Sequence, residues 1–552
     1  MIIVGQVEIA AEKGFMRCNF GLTILLFGGL LTVIVLGMTG ACSPAHYKAQ
    51  ADEEVYKIID GKWKDSFGRK VNYTISDVPP SPNDILIKGP LSSSKVISLA
   101  QAVAQATAFN RDYQKQKEEL YLKALDLTLQ RHQFARQWFG TIDAGYAKDS
   151  EDEKLQIDDE GTKLGFEQTL ADGAVISTNI AIDWARFLTG DPRTTLGSVL
   201  SATVTQPLLR GAGRKIAQEN LTQAERNALY EIRSFNRFRT EFVVSIVNDY
   251  YRVLQQRDRV TNADNSYKRV LKSKERLEME LQAGMRTRID VDEAEQNVLR
   301  AQNNYVGAVQ GYQQSLDEFK IRLSLPTDAN IELDQDELKA LQTLGISEPN
   351  YTPEAAIETA LLQRLDLANT ADKVDDAMRK VMVAANGLGA DLNLTGGLNV
   401  GSEEKTDIGK LQFQDGTYSL GLSADLPLDR KKERNIYRTA IIAMQRQQRE
   451  YDNSVDNVKL NVRQAYRQLT EKAESYEIQK MSLDLAKRRV ESNELLLDAG
   501  RVTVRILLDS ENALVEAQNN VTAALVDHTI AKLSFFRDVG ILQVRPDGMW
   551  EQ

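Results

Sequence analysis

The chain has 552 residues, of which 26% are charged and 7% aromatic, and its formal net charge is −10. This acidic balance, without a polybasic patch, argues against a nucleic-acid-binding surface. Only 12 prolines occur, which favours a few long, uninterrupted elements over several loop-rich domains.

The N-terminus carries a targeting signal. An apolar run from Gly21 to Gly37 follows Arg17 and ends in the small residues Thr39-Gly40-Ala41 before Cys42. This pattern predicts a signal peptide over residues 1–41, and its end resembles the lipobox of bacterial lipoproteins, with Cys42 acylated. The alternative is a plain secretory signal. Met16 would start such a signal properly, so residues 1–15 are expected to come from a misassigned start codon.

Residues 42–94 follow the proposed lipid anchor. The run Pro79-Pro80-Ser81-Pro82 is typical of an extended segment. We therefore predict a lipid anchor and an extended linker over residues 42–94, before the first helical stretch, which begins at about Lys95.

Four segments alternate apolar with small or polar residues, as strands with two different faces do. They are Gly140–Tyr146, Val199–Thr205, Leu392–Val400 and Tyr418–Leu426. Two further segments alternate around Asp172-Gly173, a turn pair typical of hairpins. Either the first strand pair extends beyond the membrane, or an additional surface hairpin lies between its strands; we expect the extended pair.

The chain repeats itself. An offset of 216 residues places Ala283-Gly284 on Ala499-Gly500 and the tetrapeptide Ala301–Asn304 (AQNN) on Ala517–Asn520. An offset of 220 places the Gln206-Pro207-Leu208 turn on Leu426-Pro427-Leu428. We predict two repeats, 95–325 and 353–540, joined by a connector over 326–352 and followed by a tail over 541–552.

Each repeat contains a long run without Gly or Pro, Arg214–Ala283 and Leu428–Ala499. Such runs predict helices of about 105 Å. Apolar heptads continue on both sides of Gly284 and Gly500, which indicates antiparallel coiled-coil hairpins. The lengths of the remaining helices predict two shorter helices, stacked end to end, beside each long one.

This order of helix, strands, long helix and return helix, with the QPLLRG and LPLD turns, resembles the TolC-like outer-membrane efflux channels. The resemblance implies a mainly α fold with a membrane β-barrel portion, to which each copy of a homotrimer contributes four strands. It also implies a long helical tunnel, lipid-anchored at the outer membrane and extending into the periplasm. An isolated four-stranded sheet would expose unsatisfied edges in lipid, which agrees with closure by several chains.

The resemblance further implies a passive exit duct in a tripartite efflux or type I secretion system. Its partners would be a periplasmic adaptor (membrane fusion) protein, an inner-membrane transporter and outer-membrane lipid, with no nucleic acid and no cofactor. Cys18 and Cys42 are the only cysteines, and His46, His132 and His528 lack metal-ligand spacing, so no metal site is expected. No P-loop or nucleophile elbow suggests an enzyme.

The resemblance places the periplasmic gate and the adaptor-docking site at the hairpin tips. The tip residues concerned are Gly284, Arg286, Arg288, Asp290, Gly500, Arg501, Arg505 and Asp509. Family channels close with aspartate rings, and Asp290 and Asp509 match such positions. Ile506 replaces the inner aspartate of the second tip, which puts a double ring in doubt. The alternative for all these charges is an ordinary solvated turn. Pro207 and Pro427 are expected to redirect the chain from strand to helix.

A second function class remains open. A periplasmic, lipid-anchored coiled-coil adaptor or scaffold would explain the hairpins and the anchor but not the alternating segments. The transported substrate is left open among drugs, metals and secreted proteins.

Overall fold

The computed structural model describes residues 43–64, 67, 70, 72–76, 96–141, 147–148, 155–156, 162–186, 194–346, 351–403, 410–426, 428–545 and 550–551. The predicted signal peptide, Cys42 and Pro427 lie outside these residues, so their roles stay predictions. The chain divides into two compact units, residues 1–61 and 62–552. None of the helices in the described ranges is long and apolar enough to cross a membrane.

The first unit contains helix α1 (Pro44–Lys62) except for its last residue, Lys62. The prediction of an extended segment over 42–94 is therefore wrong for these residues. Pro44 occupies the first helical turn, where its missing N–H costs nothing, and Lys48 and Asp52 form an i,i+4 pair at 3.7 Å. The proline run that suggested an extended linker begins only at Pro79, outside the described residues.

The second unit is built on two long helices, α5 and α10, each followed by a tight turn and a return helix. Its helices are α2 (Leu99–Phe109), α3 (Arg111–His132), α4 (Arg214–Ala217), α5 (Glu219–Gln282), α6 (Arg288–Arg322), α7 (Asp336–Leu344), α8 (Pro353–Gln363), α9 (Leu365–Asn386), α10 (Lys431–Asp498) and α11 (Val504–Val539). With 64 and 68 residues, α5 and α10 are about 96 and 102 Å long, and they pack on α6 and α11 respectively. The two predicted helical hairpins are confirmed.

The shorter helices are stacked end to end on the return helices, as predicted. Asn110 breaks α2 from α3, and its Nδ2 donates to the Arg322 carbonyl at the end of α6, at 2.8 Å. Arg364 breaks α8 from α9 at the corresponding place, and its Nη1 donates to the Asp538 carbonyl near the end of α11, at 3.5 Å. Both breaks have extended backbone, with ψ of 133° and 118°. The break is thus a shared feature of the two repeats.

The connector and the tail contain regular structure that the sequence did not indicate. The two-residue strand β1 (Val96–Ile97) pairs in parallel with β8 (Glu332–Leu333), ahead of α7 in the connector. In the tail, β11 (Gln543–Val544) pairs with β12 (Trp550–Glu551). The Arg239 Nη2 donates to the Val544 carbonyl at 2.5 Å, which fastens the tail to α5.

Strands from both repeats form a six-stranded antiparallel sheet, in the order β10-β9-β7-β6-β5-β2. In each repeat, the strands come before the long helix. Its strands are β2 (Gln137–Thr141), β5 (Thr162–Thr169), β6 (Val175–Arg186), β7 (Thr194–Pro207), β9 (Asp391–Gly401) and β10 (Thr417–Asp425). The two-residue strands β3 (Ala147–Lys148) and β4 (Leu155–Gln156) pair with each other. The β7–β9 pairing joins the two repeats in one sheet.

The described sheet thus has six strands, two more than the four predicted for each copy, and the expectation of an extended first strand pair is wrong. β5 and β6 form their own hairpin around Asp172-Gly173, with Thr169 paired to Val175. The Leu170 N–H donates to the Ala174 carbonyl at 2.7 Å, and Gly173 has a φ of 96°. A glycine at this position gives the turn its left-handed conformation without strain, so the local sequence directs the chain back into the sheet.

Candidate gate at the hairpin tips

The two hairpin tips have the same backbone geometry. Gly284 and Gly500 follow the long helices with φ of 74° and 67°. The Met285 N–H donates to the Glu280 carbonyl at 2.9 Å, and the Arg501 N–H donates to the Leu496 carbonyl at 2.8 Å. This is the glycine-dependent helix termination that satisfies carbonyls of the last turn. The repeated sequence at the two tips therefore corresponds to the same turn structure in both repeats.

The tips of the two repeats share one hydrophobic core. Its buried members are Val270, Leu277, Val291, Ala294, Val298, Leu497, Val504, Leu507 and Leu508. They come from α5, α6, α10 and α11, so the first hairpin packs directly against the second. A conformational change at one tip must therefore disturb packing at the other, because close-packed interiors tolerate little independent movement.

The return helices begin differently in the two repeats. In α6, Thr287 and Asp290 form a capping box: the Thr287 N–H donates to Asp290 Oδ2 at 3.0 Å, and the Asp290 N–H donates to Thr287 Oγ1 at 3.3 Å. The side-chain and backbone hydrogen bonds from Thr287 lower the pKa of Asp290. At the equivalent place in α11, Thr503 has no side-chain cap bond and Ile506 occupies the acidic position. Asp290 thus has a local structural role.

The predicted basic residues occupy two kinds of environment. Arg286 is half-buried, donating through Nε to Glu280 at 2.9 Å and through Nη2 to the Leu497 carbonyl at 2.9 Å. It therefore ties the first tip to the end of α10. Arg288 is exposed and pairs with Asp292 at 3.1 Å, within one turn of its own helix.

The second tip presents its predicted charges to solvent. Arg501, Arg505 and Asp509 are all exposed, whereas Arg286 in the first tip is not. A single copy does not bring Asp290 and Asp509 into a common acidic site in any contact among the described residues. Nor do those residues contain a cluster of three His, Cys, Asp or Glu side chains that could hold a metal ion.

A buried carboxyl about two helical turns above the second tip was not predicted. Glu511 on α11 is 3% exposed, and burial raises its pKa to about 7, against the opposing effect of Arg269 on α5; Glu494 on α10 raises it further. Within the described residues, Glu511 Oε2 and the Arg269 Nε have no hydrogen-bond partner. The only sequence signal was a charged residue inside an apolar heptad pattern.

The matching position of the first repeat gives no comparable site. Glu295 is half-exposed and lies 3.5 Å from Lys274. The buried carboxyl therefore belongs to the second repeat, where α11 is enclosed between α5 and α10.

The strand-to-helix junction lies where it was predicted, but the chain turns later than Pro207. Pro207 is the last residue of β7 and pairs with Asn393, and the Leu208 N–H still donates to the Leu392 carbonyl at 2.7 Å. The direction changes at Gly211 and Gly213, which have φ of 80° and 91°.

Comparison with known proteins gives one family match. Residues 356–536 match the family model described as outer membrane efflux protein. This part of the chain is therefore similar to that family. The matched residues fall within the second repeat, 353–540. A comparison with curated proteins gives no significant match.

Solved structures extend the likeness of the fold to both repeats. The outer membrane channel CmeC of Campylobacter jejuni superposes with a TM-score of 0.59 at 15% identity, covering 86% of this chain and 94% of CmeC. VceC, an outer membrane protein of Vibrio cholerae, gives 0.57 at 14% identity, covering 80% and 96%. The open-state MtrE channel of Neisseria gonorrhoeae gives 0.56 at 12% identity, covering 80% and 88%. The predicted TolC-like fold is confirmed.

Proposed function

We propose that this chain is the outer-membrane channel subunit of a tripartite efflux or secretion system, acting as a passive exit duct. One observation carries the proposal: a sheet with one apolar face leads directly into two helical hairpins about 100 Å long. Along β10, Tyr418, Leu420 and Leu422 alternate with Ser419 and Ser423. The three apolar side chains are 64–81% exposed in one copy, as expected of a face that meets lipid.

A homotrimer is part of this proposal. Helix α11 packs between α5 and α10, whereas its repeat mate α6 packs on α5 with its outer flank exposed. That flank carries Ile289, Leu299 and Val306, each more than half exposed. A second copy would cover it with its α10, in the way that α5 covers α11. Three copies are expected from the family resemblance.

The alternative of a lipid-anchored periplasmic adaptor or scaffold is disfavoured by the same sheet. Such a protein works in water, where an uncovered apolar face of this extent promotes aggregation. Cell fractionation with unboiled electrophoresis separates the two functions. We expect a heat-modifiable trimer in the outer-membrane fraction. A monomer or dimer released in the aqueous periplasmic fraction after anchor removal, by Cys42→Ser, would support the adaptor.

We further propose that the tips are the gate and the docking site for a periplasmic adaptor and its inner-membrane transporter. The solvent-exposed Arg501, Arg505 and Asp509 support this role, because unpaired charge at a pore entrance acts on passing ions. Single-channel recording of Asp509→Ala beside wild type tests it. We expect reduced cation preference; unchanged conductance and selectivity would remove Asp509 from the gate. Glu516→Ala, also exposed on α11 but about two turns higher, is the control.

A further inference from the structure

The extra hairpin β5–β6 has the same two-faced pattern as the rest of the sheet. Pairing places Leu164 opposite Ile180, Ile180 opposite Leu200, and Leu200 opposite Val400. These residues form one apolar row across β5, β6, β7 and β9. Leu164 is 62% exposed and Ile180 is 42% exposed, so the chain itself does not cover this face of the hairpin.

The opposite face of the hairpin is polar and continues into the polar face of the other strands. Glu167 lies opposite Ser177, and Asn179 lies opposite Ser201. Ser201 in turn donates through Oγ to Asn399 Oδ1 at 2.7 Å. A hairpin immersed in water on the outside of the molecule would not need one apolar and one polar face. Alternation of this kind is the pattern of strands between lipid and an aqueous lumen.

The turn of the hairpin is fastened at the level where the sheet ends and the helices begin. The Gly213 N–H donates to the Asp172 carbonyl at 3.0 Å. A Cβ on Gly173 would lie 2.8 Å from the Gly211 carbonyl oxygen, so the turn fits closely against the junction. The end of β5 and the start of β6 therefore lie level with the end of β7, and both strands run alongside it.

Close packing also joins β5 to the edge strand β2. A Cβ on Gly165 would lie 2.7 Å from the ring of Phe139 and 2.8 Å from Asn179 Cβ, which shows that the Phe139 side chain crosses β5 at its glycine. An aromatic ring placed over a strand glycine is a recurrent way of fixing register in curved sheets. The hairpin is thus an internal part of the sheet.

We propose that β5 and β6 are membrane-spanning strands, so that each copy contributes six strands and its edge strand β2 pairs with β10 of a second copy. The strands alternate in direction across the sheet, so β2 and β10 run oppositely and can pair antiparallel. Leaving either edge unpaired in lipid would cost several kcal/mol per polar group. This inference rests on the proposed trimeric channel.

The consequence is a wider outlet than four strands per copy would give. Three copies of the six-stranded sheet make eighteen strands instead of twelve. Barrel diameter grows roughly in proportion to strand number, which gives about a 1.5-fold wider barrel. Barrels with 16–18 strands leave an aqueous channel, so this outlet would pass bulkier cargo than a barrel built from four strands per copy.

Spin-label accessibility in lipid vesicles tests the assignment on the full chain. Single cysteines replace neighbouring residues on the two faces of β6, Ile180→Cys and Asn179→Cys, and of β10, Leu420→Cys and Ser419→Cys. We expect oxygen, which concentrates in lipid, to relax the labels at 180 and 420. A water-soluble nickel complex should relax the labels at 179 and 419.

The β10 pair separates the two possible failures. If residue 420 is in lipid but residue 180 is accessible to nickel, the hairpin lies outside the membrane, and the six-strand assignment is wrong while the channel stands. If neither 180 nor 420 meets lipid, the proposed channel fails and the inference fails with it.

Electron cryomicroscopy of the purified trimer in lipid nanodiscs gives an independent count. Eighteen strands around the barrel would support the proposal, and twelve would overturn it. A variant lacking residues 155–193, which retains β2, β7, β9 and β10, is expected to give a narrower barrel if it assembles. Failure of this variant to assemble would also fit a six-strand design, whereas assembly with the wild-type diameter would contradict it.

Discussion

At the scale of single residues, the two tips differ most at one position, which is Asp290 in α6 and Ile506 in α11. Asp290 completes a capping box with Thr287, whereas Thr503 has no such partner. We expect Ile506→Asp to stabilise the start of α11 by about 0.5–1 kcal/mol, because it supplies the missing reciprocal bond. Amide hydrogen exchange at residues 504–508 should slow by up to about fivefold.

The reciprocal variant is the control for that prediction. Asp290→Ile removes the two bonds that the Thr287 N–H and hydroxyl donate to the Asp290 carboxylate and should speed exchange at the start of α6 by a similar factor. Faster exchange in α11 after Ile506→Asp would contradict the capping argument, and would indicate that the Ile506 side chain contributes more through packing.

Glu511 gives the tip region a dependence on pH. Its folded-state pKa of about 7 lies above the ordinary 4.5, so the folded protein holds a proton that the unfolded chain has released between these values. Stability therefore falls as pH rises from about 4.5 to 7. Glu511→Gln should remove this fall, and at pH 8 it should be more stable than wild type by up to about 3 kcal/mol.

Thermal unfolding followed by circular dichroism at pH 5 and pH 8 measures the effect. The difference in Tm between the two pH values should be smaller in Glu511→Gln than in wild type. Glu295→Gln, at the half-exposed position of the first repeat, should leave that difference unchanged. An equal effect of both substitutions would show that burial of Glu511 does not cause the pH dependence.

The sequence predicted the features that depend on a local pattern. Runs without Gly or Pro predicted the long helices, and Gly284 and Gly500 predicted the turns at the hairpin tips. It did not predict that Glu511 is buried, because Glu295 occupies the same heptad position and is half-exposed. Burial there depends on α11 lying between two long helices, which is a tertiary fact. The gate assignment itself came from the family resemblance and remains a proposal.

At the scale of elements, the pairing of α9 with α5 joins the two repeats through a buried ionic network. Asp376 is 4% exposed; it pairs with Arg226, accepts from Tyr230 at 2.6 Å and from Arg379 Nη1 at 2.8 Å. Burial opposes its ionisation, but hydrogen bonds from Tyr230, Gln223 and Arg379 hold its pKa below the ordinary value. The folded structure therefore stabilises the ionised form of Asp376.

Removing this carboxylate should weaken the joint between the repeats. Asp376→Ala removes the acceptor of the Tyr230 hydroxyl and one partner each of Arg226 and Arg379. The two arginines keep Asp372 and Glu219, so we expect a cost of about 1–3 kcal/mol. Asp375→Ala is the matched control, because Asp375 is 65% exposed and lies 3.9 Å from Arg226; it should cost less than about 1 kcal/mol. Denaturation midpoints of the two variants in detergent compare the effects. Equal midpoints would show that the Asp376 network adds nothing to the joint.

The strand count also belongs to the element scale, and it shows where a family pattern misled the sequence prediction. Alternation in 163–184 and the Asp172-Gly173 turn indicated two strands and a hairpin correctly. The expectation of four strands per copy came from the resemblance and overrode that local signal. Pairing partners are non-local, so the sequence alone did not show that β5 and β6 lie between β2 and β7 in one sheet.

At the scale of the whole molecule, the AQNN repeat marks equivalent places in the two return helices. Ala301 and Ala517 are both 6% exposed, as expected for equivalent seam positions. Asn519 differs from its repeat mate Asn303, because it is half-buried and accepts from the Asn262 Nδ2 at 3.0 Å. That bond sets the antiparallel register of α5 against α11 inside one copy.

Applied to the proposed trimer, the repeat offset of 216 residues would give α10 of one copy the same register against α6 of the next. In that register Leu460 would lie opposite Ile321, and Met481 and Leu495 would lie within one residue of the positions opposite Leu299 and Met285. All six side chains are 49–76% exposed in a single copy. The exposed apolar residues would thus match to within one residue, which suits a coiled-coil seam between subunits.

A disulfide trap tests this register in the assembled protein. Met481→Cys combined with Leu299→Cys should yield covalent trimers on oxidation, because the two Cβ atoms would come within disulfide reach across the seam. The control pair, Met481→Cys with Val306→Cys, displaces one partner by two helical turns, about 10 Å, and should stay monomeric under denaturing electrophoresis. Cross-linking of the control pair, with none in the first, would show that the subunits pack in a different register. Cross-linked dimers that never close to a trimer would show that the copies do not form a ring.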